Sequence, residues 1–274
     1  MNLHQYFLTR NPCYKAGRSI AVKGLMLHSV GCPQPDPMAF IKNWNSANYD
    51  RACVHGFIGG ADVYETLPML QTAGKAHRGW HGGGASNNTH IGVEMCEPSY
   101  IKYTGGASFT CSDKAKAVAF VEQTTRAAVE LFAALCKLHN LNPLAPGVVI
   151  SHAEGYKLGI ATNHGDPEHL WRGLGMDYNM DKFRAAVAAE MEDDGMLTYE
   201  QWKEYQEKFD EEKKAQAPSD YSEEARTWAE GEGLIAGDAN GAKMYKSPCT
   251  REHMVIFLYR LWQKVKAYID GKTA

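Results

Sequence analysis

The sequence lacks any apolar run long enough to cross a membrane. Its 274 residues are 44% hydrophobic, but no stretch approaches the roughly 18 consecutive apolar residues of a transmembrane helix. It also lacks a basic surplus: the formal net charge is −3, whereas nucleic-acid-binding domains usually carry a clear excess of Lys and Arg. We therefore expect a globular protein with neither nucleic acid nor membrane as a partner, long enough for one sizeable domain and a smaller one.

The chain also lacks a leader pattern and paired cysteines. The first residues, MNLHQYFLTRNPCYKAG, do not have the charged-then-apolar layout of a signal peptide, so we expect synthesis in the cytoplasm without one. The seven cysteines include no C-x-x-C pair, and an odd number cannot form a complete set of disulfides. We expect mostly reduced thiols, with Cys53, Cys96 and Cys136 buried as small apolar side chains.

Hydrophobic periodicity predicts strands interleaved with helices. Strands are expected at residues 21–30, 91–95 and 148–150, with a hairpin that turns at Gly59-Gly60. Helices are expected at 37–45, from about 113 to 138, and at 180–192. Residues 1–20 are expected to be irregular, and the Gly- and Asn-rich residues 76–90 to be a loop. The pattern predicts an α/β fold with a mixed central β-sheet flanked by helices.

Composition changes near residue 195. We predict a first domain at residues 1–194, a charged helical linker at 195–217 and a small helical domain at 218–274. The linker includes TYEQWKEYQEKFDEEKKAQA, whose many charges and few aliphatic residues are typical of a solvated helix. The last domain is too short for a large core of its own. We expect it to lean on the first domain or on another copy of the chain.

Three candidate metal ligands stand where predicted strands or loops end. His28 follows the apolar run Leu25-Met26-Leu27, His152 follows Val148-Val149-Ile150, and the next loop returns Asp166. Imidazole and carboxylate are good zinc ligands, and three protein ligands leave one position for water, as in catalytic zinc sites. Singly, each of these residues is more often a hydrogen-bonded loop residue. Glu94 likewise lies in a short strand, where alternation alone would place it on the solvent side.

Five segments, in this order, resemble type 2 N-acetylmuramoyl-L-alanine amidases, the zinc amidases that share a fold with peptidoglycan-recognition proteins. They are LMLHSVG, VHGFIGGADVYETLP, RGWHGGG, HIGVEMCEPS and ISHAEG…GIATNHGDPEHLW, and they span roughly residues 20 to 190. The last is similar to amidases of bacteriophage and prophage endolysins. The resemblance implies zinc-dependent hydrolysis of the amide bond between N-acetylmuramic acid and L-alanine in peptidoglycan, and hence lysis of the bacterial cell wall.

The resemblance also implies a zinc site and a catalytic base. His28, His152 and Asp166 fall where the family binds its single zinc ion. Some relatives use Cys as the third ligand, but no Cys lies between His152 and the end of the first domain. Glu94 falls where members with a similar strand keep their catalytic carboxylate, which takes a proton from water and passes it to the leaving amine.

The resemblance implies roles for four further residues, of which His164 departs from the family pattern. His164 stands two residues before the third ligand, where many relatives have Lys, and the resemblance gives it the task of stabilising the oxyanion. Trp80 and His81 are implied to line the groove for the sugar or the first stem residues. His55 stands near a position where relatives carry an aromatic residue or His that faces the site.

The tail resembles a single S-layer homology repeat. The matching segment is YSEEARTWAEGEGLIAGDANG…SPCTREHMVIFLYRLW. The resemblance implies association with the cell wall through a secondary polymer, or assembly into a homo-oligomer. Independently of any ligand, Thr250 is expected to cap the last helix.

Two other functions stay open. One is a cytoplasmic amidase that recycles soluble muropeptides, which a wall-binding tail disfavours. The other is a non-catalytic peptidoglycan-binding protein of the same fold, which would be expected to lack a zinc ligand. A metalloprotease and a zinc deaminase are disfavoured because the chain has neither H-E-x-x-H nor H-x-E with P-C-x-x-C.

Overall fold

The computed structural model describes residues 1–192, 203, 207, 208, 211, 214–238, 241–247 and 249–272. The chain divides into two compact units, Met1–Asp194 and Gly195–Ala274. Among the described helices, none is both long enough and apolar enough to cross a membrane.

A six-stranded mixed sheet forms the centre of the first unit. Its strands, with all strands numbered in chain order, are β1 (Asn2–Gln5), β3 (Gly24–Ser29), β4 (Gly56–Gly59), β5 (Asp62–Glu65), β7 (His90–Met95) and β10 (Val149–Ser151). They are hydrogen-bonded in the order β1-β5-β4-β7-β3-β10. Only β4 and β5 pair in antiparallel fashion, as the predicted hairpin, and the other neighbours are parallel. The predicted mixed α/β fold is confirmed.

Two short antiparallel ribbons and six helices complete the first unit. The ribbons are β2 (Ser19–Ala21) with β6 (Lys75–His77), and β8 (Ile101–Gly105) with β9 (Ser108–Cys111). The helices are α1 (Pro12–Lys15), α2 (Pro37–Trp44), α3 (Lys114–His139), α4 (His152–Lys157), α5 (Glu168–Gly173) and α6 (Met180–Glu192). The three predicted helices correspond to α2, α3 and α6.

Alternation along the central strands assigns the two faces of the sheet. Leu25 and Leu27 of β3 join Ile91 and Val93 of β7 in a core that also contains the buried face of α3. Successive side chains of a strand point to opposite faces, so His28 and its neighbours in register lie on the face away from α3. A second, smaller core packs around Phe57 under α2. The long helix thus supports the sheet from behind and leaves its other face for polar residues.

The N-terminal segment is more regular than the sequence indicates. The prediction that residues 1–20 are irregular is wrong, because β1 pairs in parallel with β5, and α1 and β2 follow. All four residues of β1 are exposed, so no hydrophobic alternation signals an edge strand held by long-range pairing. Residues 76–90 are mostly loop as predicted, with the end of β6 and a 3₁₀ turn at Ala85–Asn88.

The second unit contains two described helices, α7 (Glu223–Gly231) and α8 (Arg251–Lys272). Gly233 and Gly237 adopt positive φ values of 65° and 82° in the turn between them, a conformation that glycine adopts without strain. Thr250 Oγ1 accepts a hydrogen bond of 3.1 Å from the His253 amide, which confirms the predicted cap. The predicted linker at 195–217 lies largely outside the described residues.

Candidate metal centre and active site

The site lies where three parallel strands end side by side. In the register of β3 and β7, His28 is opposite Glu94. On the other side of β3, Leu27 is opposite Ser151, the last residue of β10. His152 follows as the first residue of α4, and the Ser151–Glu154 capping box holds the start of that helix. Parallel pairing therefore carries Glu94, His28 and His152 to one edge of the sheet.

Asp166 reaches the same place from the loop that follows α4. Its Oδ2 accepts a hydrogen bond of 3.2 Å from the Ser29 amide, and its carbonyl oxygen lies 3.4 Å from the Ala153 amide nitrogen. One backbone contact is to the end of β3 and the other is to the start of α4. The loop is thus fixed to the two elements that carry the histidines.

The donor atoms of His28, His152 and Asp166 converge. The two Nδ1 atoms lie 3.0 Å apart, and Asp166 Oδ2 and Oδ1 lie 3.5 and 3.7 Å from the Nδ1 atoms of His28 and His152, respectively. A tetrahedral zinc ion with bonds of about 2.0–2.1 Å holds its ligand atoms roughly 3.3 Å apart. All three residues are buried, and the donor set fits a divalent cation of this kind.

Hydrogen bonds on the far side of each ring fix the tautomers. His81 Nε2 lies 3.0 Å from the His90 carbonyl oxygen, which can only accept, so His81 Nδ1 is left to accept from His28 Nε2–H at 3.0 Å. His152 Nε2 lies 3.3 Å from Thr162 Oγ1, whose own proton is directed to the Gly82 carbonyl oxygen at 3.4 Å. Both neutral rings therefore present an Nδ1 lone pair to the same point, as metal-binding histidines do.

Burial and neighbouring charges together set the pKa values of the three groups. Burial would raise the pKa of Asp166, but the hydrogen bond to His28 and the two imidazoles lower it to about 2. Burial lowers the pKa of His152 to about 4, with a further contribution from His28. For His28, burial lowers the pKa but Asp166 and Glu94 outweigh it, so the net shift is upward. The upward shift of the His28 pKa reflects the negative charge of Asp166 and Glu94 around this point, which also favours a cation there.

Glu94 stands beside this centre with an unused oxygen. Its Oε2 is shielded from solvent and has no hydrogen-bond partner among the described residues. Burial raises its pKa to about 7, and the charges of Asp166 and Glu97 add to the shift while His28 opposes it. Alternation alone suggested the solvent side of the strand, but the residue shares the site face with His28. A carboxylate that titrates near neutrality and lacks a partner is suited to proton transfer.

His164 lies at the open side of the centre. Its ring stacks on His152 with centroids 4.5 Å apart, and its Nδ1 is 3.8 Å from Asp166 Oδ1. The side chain is 61% exposed, unlike those of the three candidate ligands. It can therefore contact a molecule that enters from solvent.

The three predicted groove residues have different surroundings. His81 lies behind His28 and is occupied by the hydrogen bonds described above. His55 is fully buried: its Nδ1 accepts from the Gly92 amide at 3.0 Å and its Nε2 donates to the His77 carbonyl at 2.6 Å, while burial lowers its pKa to about 4. Trp80 is partly buried against the core under α2. A direct contact of these residues with substrate stays a prediction.

A second polar cluster beside Asp166 was not found from the sequence. Glu97 is fully buried and accepts from the Gly31 amide at 2.9 Å and from the Tyr103 hydroxyl at 2.7 Å. The same hydroxyl lies 2.6 Å from His169 Nε2, which donates to it. The position of Glu97 three residues after Glu94 is a weak signal, and Tyr103 belongs to a hairpin that the periodicity did not predict.

Comparison with known proteins identifies related chains. The family model described as N-acetylmuramoyl-L-alanine amidase matches residues 18–169. The hydrolase AmiA of Staphylococcus aureus, solved with its ligand, is similar with a TM-score of 0.52 at 20% identity, over 70% of this chain and 83% of that one. A mutant endolysin from Bacillus subtilis gives 0.45 at 19% identity, over 68% and 99%. No curated protein sequence matches significantly.

The raised pKa of Glu94 predicts a pH-dependent effect on stability. In the unfolded chain this carboxyl ionises near 4.5 and in the folded chain near 7, so wild-type stability falls as pH rises between these values. Glu94→Gln removes the titration. We compare the two proteins in the presence of a chelator. Between the two pKa values, the free energy of unfolding of the variant should increase relative to that of the wild type by about 2 to 3 kcal/mol, since one pKa unit corresponds to roughly 1.4 kcal/mol.

Urea unfolding at several pH values measures this gain. Glu190→Gln is the matched control, because Glu190 is exposed on α6. A Glu94→Gln effect that does not change with pH would contradict the assigned protonation.

Proposed function

Because the chain belongs to the N-acetylmuramoyl-L-alanine amidase family, we propose that it hydrolyses the amide bond between N-acetylmuramic acid and L-alanine in peptidoglycan, with one zinc ion as cofactor. One observation carries the proposal: His28, His152 and Asp166 direct three unprotonated donor atoms at one point. Such an arrangement is favourable only around a cation or a proton.

A bound metal ion, Glu94 and His164 have separate roles in the proposed reaction. When bound, a zinc ion would supply Lewis-acid chemistry, polarising the scissile carbonyl and lowering the pKa of the attacking water. Glu94 takes the proton of that water on its free oxygen and returns it to the leaving amine of L-alanine. His164, exposed at the rim, donates a hydrogen bond to the carbonyl oxygen as negative charge develops there.

For His81 we propose a positioning role in addition to the predicted groove contact. Its protonated Nε2 on the His90 carbonyl obliges its Nδ1 to accept from His28, which turns the other nitrogen of His28 toward the metal. Gly92 makes room for this ring, because a Cβ at that position would lie 2.3 Å from His81 Cγ and Nδ1. Such outer hydrogen bonds orient metal ligands and are worth about 10- to 100-fold in metal affinity.

The biological setting that we propose is lysis of the bacterial wall by an endolysin-type enzyme. It rests on the resemblance of GIATNHGDPEHLW to bacteriophage amidases. We further propose that the second unit associates with a secondary cell-wall polymer. A cavity of about 400 Å³ in that unit supports this, because Asp238, Lys243, Tyr245 and Arg260 are among its lining residues and offer hydrogen-bond donors, acceptors and a ring to a saccharide.

A non-catalytic peptidoglycan-binding function is the second candidate. It shares the fold, but it does not require a partnerless carboxylate oxygen beside the metal ligands, as Glu94 provides. A recycling amidase differs from the endolysin only in its substrate, soluble muropeptides rather than intact wall.

Digestion of purified peptidoglycan tests the reaction. We expect new free amino termini of L-alanine, detected by mass spectrometry, that disappear with chelator and return with Zn²⁺. New reducing sugar ends would exclude an amidase. Retention on the wall without cleavage would favour the binding protein, and cleavage of soluble muropeptides alone would favour recycling.

Two substitutions separate the metal ligand from the base. Asp166→Ala should lose bound zinc and activity together, since one of three donors is removed. Glu94→Gln should keep zinc and lose roughly 10²- to 10⁴-fold in turnover, the usual contribution of a general base. Zinc titration by calorimetry alongside the digestion assay measures both, and an empty site in Glu94→Gln would overturn this division of roles.

The positioning role of His81 is tested by measuring zinc affinity rather than amidase activity. His81→Ala should weaken zinc binding by about 10- to 100-fold, while the fold, measured by circular dichroism, is kept. His139→Ala is the matched control, because it removes another buried histidine, one that bonds to Gly74 and Met69. Equal zinc affinities for wild type and His81→Ala would contradict the role.

His164 is tested by restoring the side chain that many relatives carry. His164→Ala should lower the turnover number by about 10²-fold or more without changing zinc content, as expected on losing an oxyanion donor. His164→Lys should recover most of the loss because its ammonium group supplies a hydrogen-bond donor and a positive charge. Unchanged turnover in His164→Ala would remove the residue from the mechanism.

A further inference from the structure

Helix α8 carries a row of large apolar side chains that no described residue covers. Val255, Leu258, Trp262 and Val265 are 65%, 59%, 58% and 41% exposed. Met254, Tyr259 and Leu261 flank this row and are also exposed. Soluble monomers rarely expose contiguous apolar surface of this kind, and such patches usually mark an interaction site.

The opposite face of α8 is used by its own unit. Arg260 Nη1 donates to the Leu234 carbonyl at 2.9 Å, and Lys264 Nζ lies 3.1 Å from Glu232 Oε2. His253, Ile256 and Phe257 line the cavity of this unit. The helix is therefore held in a fixed rotation, and the row of apolar residues is turned away from the part of the unit that holds it.

The spacing of the uncovered row indicates what covers it. Val255, Leu258, Trp262 and Val265 follow one another at intervals of three, four and three residues, which is the a and d pattern of a heptad repeat. The residues that contact the unit itself, Ile256, Phe257 and Arg260, then fall at positions b, c and f, the outer face of a coiled coil. An a/d row is complementary to another helix with the same row.

We propose that a second copy of this chain covers the row, and that the protein self-associates through paired α8 helices. Three of the four seam residues, 255, 258 and 265, are aliphatic and offer a wall saccharide neither a hydrogen bond nor a ring, so a saccharide would engage Trp262 alone, whereas a second helix fills the whole row. A membrane surface fits less well. A helix that lies on a membrane directs its basic residues to the lipid headgroups, but here Arg260 and Lys264 bond to Leu234 and Glu232 of their own unit. The proposal is independent of the catalytic activity, and it would give each assembly two first units and hence greater avidity for a repetitive substrate.

Light scattering of the full-length protein after gel filtration tests the proposal. We expect a mass about twice the 30.4 kDa of one chain, or a higher multiple. Leu258→Glu with Trp262→Glu places charges in the seam and should return the single-chain mass. The matched control is Leu144→Glu with Leu158→Glu, because these leucines of the first unit are 60% and 54% exposed and lie outside the seam.

A second variant distinguishes loss of self-association from unfolding of α8. Leu258→Ala with Trp262→Ala keeps high helix propensity and should weaken self-association by more than about tenfold, since truncating an interface Trp commonly costs 2 kcal/mol or more. Circular dichroism should show unchanged helix content. A single-chain mass for the wild type over a range of protein concentrations would overturn the proposal and indicate that the row is covered within the chain.

Discussion

The chemistry proposed for the first unit depends on two imidazole nitrogens held 3.0 Å apart, with a carboxylate oxygen within 4 Å of each. Lone pairs at this distance repel one another unless a positive charge lies between them. The fold maintains the arrangement through the pairing of β3 with β7 and β10, through the capping box that starts α4, and through the Ser29 amide on Asp166. Each of these contacts has a backbone atom on at least one side, so the geometry of the site is tied to the ends of the strands.

Three carboxylates share this edge of the sheet, and their surroundings keep them chemically distinct. Asp166 is held ionised by two imidazoles, with a pKa of about 2. Glu97 accepts from Tyr103 and from the Gly31 amide, so its oxygens are occupied. Glu94 has an oxygen without a partner and a pKa of about 7. Of the three, Glu94 combines a free oxygen with a pKa near neutrality, and is therefore the group suited to proton transfer.

The sequence reveals those parts of the site that local patterns encode. An apolar strand that ends in His is visible for His28 and His152, and alternation correctly indicates that Leu25 and Leu27 share one face. Alternation does not tell which face is solvent, and so Glu94 was ambiguous until the position of α3 was known. The family resemblance implied a place for His81 in the substrate groove. Its contact with His28 depends on pairing across the sheet and on the missing Cβ of Gly92, which no local pattern reports.

In the last helix, the sequence pattern shows an apolar surface but does not show what covers it. The run MVIFLYRLW in α8 is apolar on nearly every side, and a helix of that composition is stable only when more than one side is covered. The second unit has some 80 residues, part of them highly charged linker sequence, and a unit of that size supports only a small core. It covers the side that carries Arg260 and Phe257. The heptad spacing of the other side, which no described residue covers, is the reason for which we propose pairing with a second helix there.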